Sequence, residues 1–400
     1  MADDHNTKKG IAQMHWCNLK PLLRGAKLLG AAIVYLWSVS AHAADPVYCA
    51  SDADIILASQ AQVDTFQETY GPCDTTLYGV SIRSQSVDLT NLDGLNGLKQ
   101  IQGSLSVLYN YGLGDVSFTA LEVIEGDITV RGNTNTNYVP NSLNFPALIS
   151  LGGSIRLDDT NNDYRLGGFS ADALERISGG LFALNPSISN LSLAKLTTIS
   201  GNLNVSNTRL SSLSGLSSLT SVSGSVTISN NQLLRDIDGL LGLTSLGLTT
   251  ISDNQGLLSL SGLANVTTVD GDLILSVNGS LRNLDGLTSL TSVSGAMTVD
   301  RNLSLPDLNG INNLTSVSDL EISGNTALRY CGGIYDLLNN DSGVSGGKLV
   351  SGNGIGCQSV EDVSASLGVL QTRASYCYAP GEIILASQAQ VDTFQETYGP

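Results

Sequence analysis

Positive charge is scarce in this chain, and histidine and tryptophan are nearly missing from it. Its 400 residues include 19 Lys or Arg against 36 Asp or Glu, for a formal net charge of −17. The histidines (His5, His15, His42) and tryptophans (Trp16, Trp37) all fall before residue 44. The remainder therefore has no imidazole for a Ser-His-Asp triad or a His-ligated metal. So acidic a surface also argues against nucleic-acid binding and against adhesion to an anionic membrane. Beyond the N-terminal segment no apolar run reaches the roughly 18 residues a spanning helix needs, so no membrane insertion is visible. The residue types imply no cofactor.

The first 43 residues read as an export signal rather than as fold. Lys20, Arg24 and Lys27 lead into Leu28-Leu-Gly-Ala-Ala-Ile-Val-Tyr-Leu-Trp37, and Ala41-His-Ala43 follows as a small-x-small cleavage site. An uncleaved anchor is the alternative. Cleavage removes Lys8, Lys9, Lys20, Arg24 and Lys27 against only Asp3 and Asp4, leaving a more acidic protein that is secreted or held at the cell surface.

Cys17 leaves with that segment, and Cys49, Cys73, Cys331, Cys357 and Cys377 remain. Export permits disulfides. Two cysteines precede a repeat region and two follow it, which pairs Cys49 with Cys73 and Cys331 with Cys357. Cys377 is left over. Residues 382–400 repeat residues 54–72 almost letter for letter, with Glu382 in place of Asp54. Residues 377–400 are thus expected to open a second, truncated module, with the partner of Cys377 beyond residue 400 and a linker over 358–376.

Between the cysteine pairs a phrase of about 24 residues recurs. One copy begins Gly224-Ser-Val-Thr-Ile-Ser-Asn-Asn-Gln-Leu-Leu-Arg-Asp-Ile-Asp-Gly, and glycines open others at 103, 126, 153, 180, 201, 247, 271 and 295. Such a period marks a solenoid, whose coils bury their apolar sides against one another. Each phrase starts with alternating apolar residues, as in Leu105-Ser-Val107, predicting a short strand stacked in parallel on its neighbours. Roughly eleven coils over 79–330 follow, in a right-handed parallel β-helix or leucine-rich-repeat-like coil at about 4.8 Å per coil.

Asn110, Asn133, Asn231, Asn254, Asn278, Asn302 and Asn325 recur three residues after the last inward strand position. Asn tolerates a left-handed turn and bonds backbone with its amide, which predicts an internal asparagine ladder. Repeated Leu-x-Gly-Leu marks corners too tight for a side chain. Residues 49–78 are read as an N-terminal cap, with a strand over 54–59 and a helix over 60–70 that turns Val63 and Phe66 inward. Residues 331–357 are the opposite cap. Asn-x-Ser/Thr occurs at Asn190, Asn204, Asn265, Asn278, Asn302, Asn313 and Asn340, but a glycan on ladder positions 278 or 302 does not fit.

These features resemble the receptor L-domain, a leucine-rich, β-helix-like module of growth-factor receptors, fungal cell-wall proteins and bacterial surface proteins. The resemblance rests on Gln60-Ala-Gln-Val-Asp-Thr-Phe66 after the first cysteine, on the Gly-x-Leu-x-Ile strands with Asn turns, and on closing Gly352-Asn-Gly-Ile-Gly-Cys357. It covers 44–357 and starts again at 377; residues 126–200 depart from its pattern. It implies a surface recognition module whose partner is an extracellular protein or glycan.

Chemistry is sparse. Arg131, Arg156 and Asp158, with Tyr138 and Tyr164 and the turn residues Tyr109 and Tyr111, form the preferred ligand-binding patch. Strand parity turns both arginines outward on adjacent coils. Asp158, Asp159 and Asp163 are a weak Ca²⁺ candidate that lacks the spacing of an EF-hand loop. Other outward strand positions are small and mixed (Ser104, Ser106, Thr227, Ala296, Thr298), with neither a regular threonine ladder nor a large aromatic platform. No catalytic residue stands out. The expected function is non-catalytic recognition or adhesion, the alternatives being a structural cell-envelope spacer or a carbohydrate-active β-helix enzyme.

Overall fold

The computed structural model describes residues 45–133, 141–158 and 166–364. They build a β-solenoid. One 13-stranded parallel sheet runs in chain order from Ile55–Leu57 to Lys348–Ser351, each strand between these two pairing with the coil before and the coil after. The roughly eleven repeat strands are thus joined by one strand from each cap. Strands such as Val226–Ser229 and Leu273–Ser276 alternate buried and half-buried residues, so a single period-two pattern fills the core and faces the solvent.

The second wall consists of two-residue strands, seven from Thr75–Thr76 to Ser221–Val222 in one sheet and three from Ser245–Leu246 to Ser292–Val293 in another. The third wall changes along the chain. In most coils it is a 3-10 turn such as Ser261–Leu263 or Asp285–Leu287, seated on the turn before it. A Cβ on Gly262 would lie 1.9 Å from the Ile237 carbonyl oxygen, and one on Gly286 1.9 Å from that of Leu260. The corner glycines are therefore set by backbone contact.

Residues 116–192 build that wall differently, which accounts for the departure from the repeat. Val116–Ser117, Asn141–Asn144, Leu166–Ser170 and Asn190–Ser192 form a 4-stranded parallel sheet. Behind it Phe118 stacks on Phe145 at 4.9 Å, and Phe169 tilts against Phe145 at 5.4 Å. Phe169 sits one inward position early, opposite Leu143, and fills the room left by the smaller Ala171. This internal aromatic stack replaces the Leu-x-Gly-Leu corner.

The asparagines lie inside the turn that follows the long sheet, and those at 110, 231, 254, 278, 302 and 325 have no exposed surface. Asn254 Nδ2 donates to the Ile228 carbonyl at 2.9 Å and to Asn278 Oδ1 at 3.2 Å. Its Oδ1 accepts the Asn231 N–H at 3.0 Å. Asn325 repeats this toward Asn353, extending the ladder into the C-terminal cap. The left-handed residue is not the asparagine but the one before it: Tyr109, Asn230, Asp253, Val277 and Arg301 have φ between 51° and 57°. The turn reverses there, and the next residue drops its amide into the core.

Two further expectations need correction. Gly179, not Gly180, belongs to the column opening the strands, since Gly179 N–H donates to Gly153 and Gly201 N–H to Gly179. The helix over 60–70 is two short helices, Gln60–Asp64 and Phe66–Tyr70, hinged at Thr65. Val63 and Phe66 are fully buried as expected. Gln60 Oε1 accepts the Thr90 N–H, and Gln67 bonds both backbone polar groups of Cys73, tying the cap to the first coils. Both disulfides are present, Cys49–Cys73 and Cys331–Cys357. The core continues past the second one: Val363, inside the expected linker, is fully buried. The signal segment and residues 377–400 lie outside the described residues.

Candidate functional site

Outward positions of the long sheet form straight rows, because every coil pairs in register with the next. One row reads Thr129, Arg156, Phe182, Asn204; the row two residues along reads Leu108, Arg131, Asp158, Leu184. Arg131 and Arg156 both face outward on adjacent coils, but they stand in different rows. The residue opposite Arg131 is Asp158. Arg131 Nε lies 3.6 Å from Asp158 Oδ1, with 36% and 30% of the two side chains exposed. That oxygen is itself shut off from solvent and has no hydrogen-bond donor. The pair is an ion contact longer than a hydrogen bond, so this one oxygen of Asp158 takes no hydrogen bond from Arg131 Nε.

Arg156 turns to the other neighbour. Its guanidinium carbon sits 4.4 Å from the centroid of the Phe182 ring, a cation–π contact on an exposed surface. Phe182 was not singled out from the sequence; the signal was a large aromatic at an outward strand position. Tyr109 crosses Gly132, where a Cβ would lie 2.5 Å from its ring, so this glycine makes room for the tyrosine. Tyr138, Tyr164, Asp159 and Asp163 lie outside the described residues. Among those described, no three His, Cys, Asp or Glu side chains converge as a metal site. Asp158 of the Ca²⁺ candidate faces a guanidinium, a cation already in the place of an ion.

The Arg131 row runs into a cleft that sequence reasoning missed. It encloses about 680 Å³ between Leu184 and Pro186 on one coil and Asn207, Arg209, Asn230 and Gln232 on the next two. Its origin is a break in the ladder. Leu184-Asn185-Pro186 turns without a left-handed residue, and Asn185 Oδ1 accepts the N–H of Ser187 in its own turn. The next coils turn wide at Asn207 and Asn230, whose side chains bond each other, and Thr208 takes the ladder position by bonding Asn231. A narrow turn beside wide ones leaves a groove lined by amides, one arginine and apolar edges. The proline after an asparagine at a ladder position was the available signal.

Burial leaves no room for a glycan at two of the sequons, since Asn278 and Asn302 have no exposed surface. Among the described residues no helix is long and apolar enough to cross a membrane. No protein-family model matches the chain, and no curated protein matches it either.

Proposed function

We propose that this chain is an exported, non-catalytic recognition module of the receptor-L-domain type, binding a protein or a glycan at the cell surface. The observation that carries the reading is the outward set Arg131, Asp158, Arg156 and Phe182, which runs into the 184–232 cleft. It combines cations, a carboxylate, a half-buried ring and a concave amide-lined edge, the mixture a polar ligand requires. Two disulfides and the lack of a spanning helix among the described residues are compatible with an extracellular protein. The resemblance in caps and turns supports the module type.

The test is binding of the purified chain to a glycan array and to cells, with R131A/R156A as the variant. Loss of binding by this variant, with its melting curve unchanged, supports the patch. Unchanged binding removes it, and a folded chain that binds nothing supports the structural spacer, which the regular coils over 201–330 favour. Turnover of an acidic polysaccharide replaces both readings with the carbohydrate-active enzyme.

A further inference from the structure

Away from that patch, the corner wall of the later coils carries a row of arginines. Each coil has two outward residues between two buried apolar ones, as in Leu234-Arg235-Asp236-Ile237 and Leu281-Arg282-Asn283-Leu284. Backbone bonds align the first of these: Arg235 N–H donates to Ser211, Leu258 to Arg235, Arg282 to Leu258, and Arg329 to Pro306. The row therefore reads Arg235, Leu258, Arg282, Pro306, Arg329, with an arginine on every second coil and an apolar residue between. Coils rise about 4.8 Å each, so the arginines stand on the order of 9.6 Å apart in a straight line.

Three facts set the row apart. The basic residues of coils 201–330 are Arg209, Arg235, Arg282, Arg301 and Arg329, so three of the five share this one line in a strongly acidic protein. All three are exposed, and among the described residues none forms an ion pair or a side-chain hydrogen bond. The adjacent carboxylates are turned to local donors, Asp236 to the Ser212 hydroxyl and Asp307 to the Asn309 N–H. Beside the last arginine stands Tyr330, 69% exposed and paired in register with Asp307.

We infer that this wall binds an extended β-linked polysaccharide bearing one carboxylate per disaccharide, lying along the solenoid axis. Such a chain is a flat ribbon that presents the same side group on the same edge once every two sugars, about the rise of two coils. Each guanidinium then takes one carboxylate through paired N–H donors. Leu258 and Pro306 meet the sugar C–H faces between them, and Tyr330 gives a terminal sugar a ring to lie on. One exposed ion pair contributes little, whereas linked contacts in register add up. The inference takes from the proposed function only the export that brings the protein to such polymers; its residues are separate.

The experiment uses the full chain with disulfides intact and hyaluronan oligosaccharides as probe, since these carry one uronate per disaccharide. Oligosaccharides with three uronates are expected to bind at least tenfold more tightly than those with one, and binding should weaken with salt. R282A should cost about threefold and R235A/R282A/R329A at least tenfold, with R282K intermediate. Cello-oligosaccharides should not bind, and R131A/R156A should bind hyaluronan normally. The inference is overturned by no hyaluronan binding, by equal binding of cello-oligosaccharides or polyglutamate, or by indifference to the triple variant. Loss of hyaluronan in R131A/R156A alone also overturns it and assigns the ligand to the other patch. Loss of array binding in R131A/R156A with hyaluronan binding intact supports both sites.

Discussion

Val277 is held at φ 57° directly before Asn278, whose side chain is fully buried in the amide ladder. It is the one β-branched residue in the left-handed column among the described residues, whose other members include Asn207, Asn230 and Asp253. Val277 cannot relax alone, because its N–H donates to Asp300 at 2.8 Å and its carbonyl accepts from Gln255 at 2.8 Å. Left-handed backbone costs a branched side chain on the order of 1–2 kcal/mol. Val277→Asn is therefore expected to raise unfolding stability by about 1 kcal/mol. A lower urea midpoint for this variant would count against strain at the turn.

The ladder itself predicts a loss. Replacing Asn254 by leucine removes the side-chain partner of the Ile228 carbonyl, of the Asn231 N–H and of the Asn231 Nδ2 in the buried turn, while Asn278 Oδ1 keeps only the backbone N–H of residue 254. Each buried polar group left unmade costs about 1–3 kcal/mol, so Asn254→Leu should cost on the order of 3 kcal/mol or more. Asn207→Ala, on the exposed side of the equivalent turn two coils earlier, should cost less, about 1 kcal/mol from its left-handed backbone. Equilibrium denaturation of the two variants separates a structural ladder from a solvent-facing row of amides.

Periodicity and the asparagines were legible because each reflects a demand made once per coil: an inward strand residue, or an amide to satisfy a buried turn. The left-handed position was not legible. Its only requirement is a backbone angle, met by residues as different as Tyr109, Gly132, Val277 and Arg301. The phenylalanine stack escaped notice because Phe169 sits one inward position earlier than Phe145, so the letters do not line up although the rings meet. Arg131 and Arg156 were legible as outward residues. Their separation into different rows required the register of Asp158 against Arg131, which no single-coil pattern contains.

Glycines give a paired comparison. Gly286 occupies the 3-10 turn Asp285–Leu287, and a Cβ there would lie 1.9 Å from the Leu260 carbonyl oxygen. Gly332 opens the equivalent turn Gly332–Ile334, and a Cβ there meets nothing within 4 Å. Gly286→Ala must push two coils apart and should cost about 1–3 kcal/mol or more. Gly332→Ala should be neutral or stabilise by roughly 0.5 kcal/mol, through the unfolded chain alone. Thermal melts of the two variants test whether the corner glycines are set by coil contact; equal melting points would mean they are not.

Acid should loosen the solenoid at its ends. In the N-terminal cap Asp74 feels partial burial, which raises its pKa, but the Val47 N–H, the Thr75 hydroxyl and Lys99 outweigh this and hold it below the usual value. Near the other cap Asp319 is lowered by the Gly347 N–H and the Ser318 hydroxyl. The Gly347 bond, at 2.7 Å, ties the coil of Leu320–Ser323 to the capping strand Lys348–Ser351. A carboxyl whose folded pKa is depressed binds protons more readily in the unfolded chain. Its contribution is complete above the ordinary aspartate value of about 3.9 and is lost as pH falls through the lowered folded value. Hydrogen exchange of the cap strands Ile55–Leu57 and Lys348–Ser351 should therefore accelerate relative to the central coils below about pH 4. Asp319→Asn keeps a side-chain oxygen for the Gly347 N–H but has no charge to titrate, so at the C-terminal cap alone it should flatten this pH dependence. Protection of both caps that stays level with the central coils down to pH 2 would show that these carboxylates do not hold the ends closed.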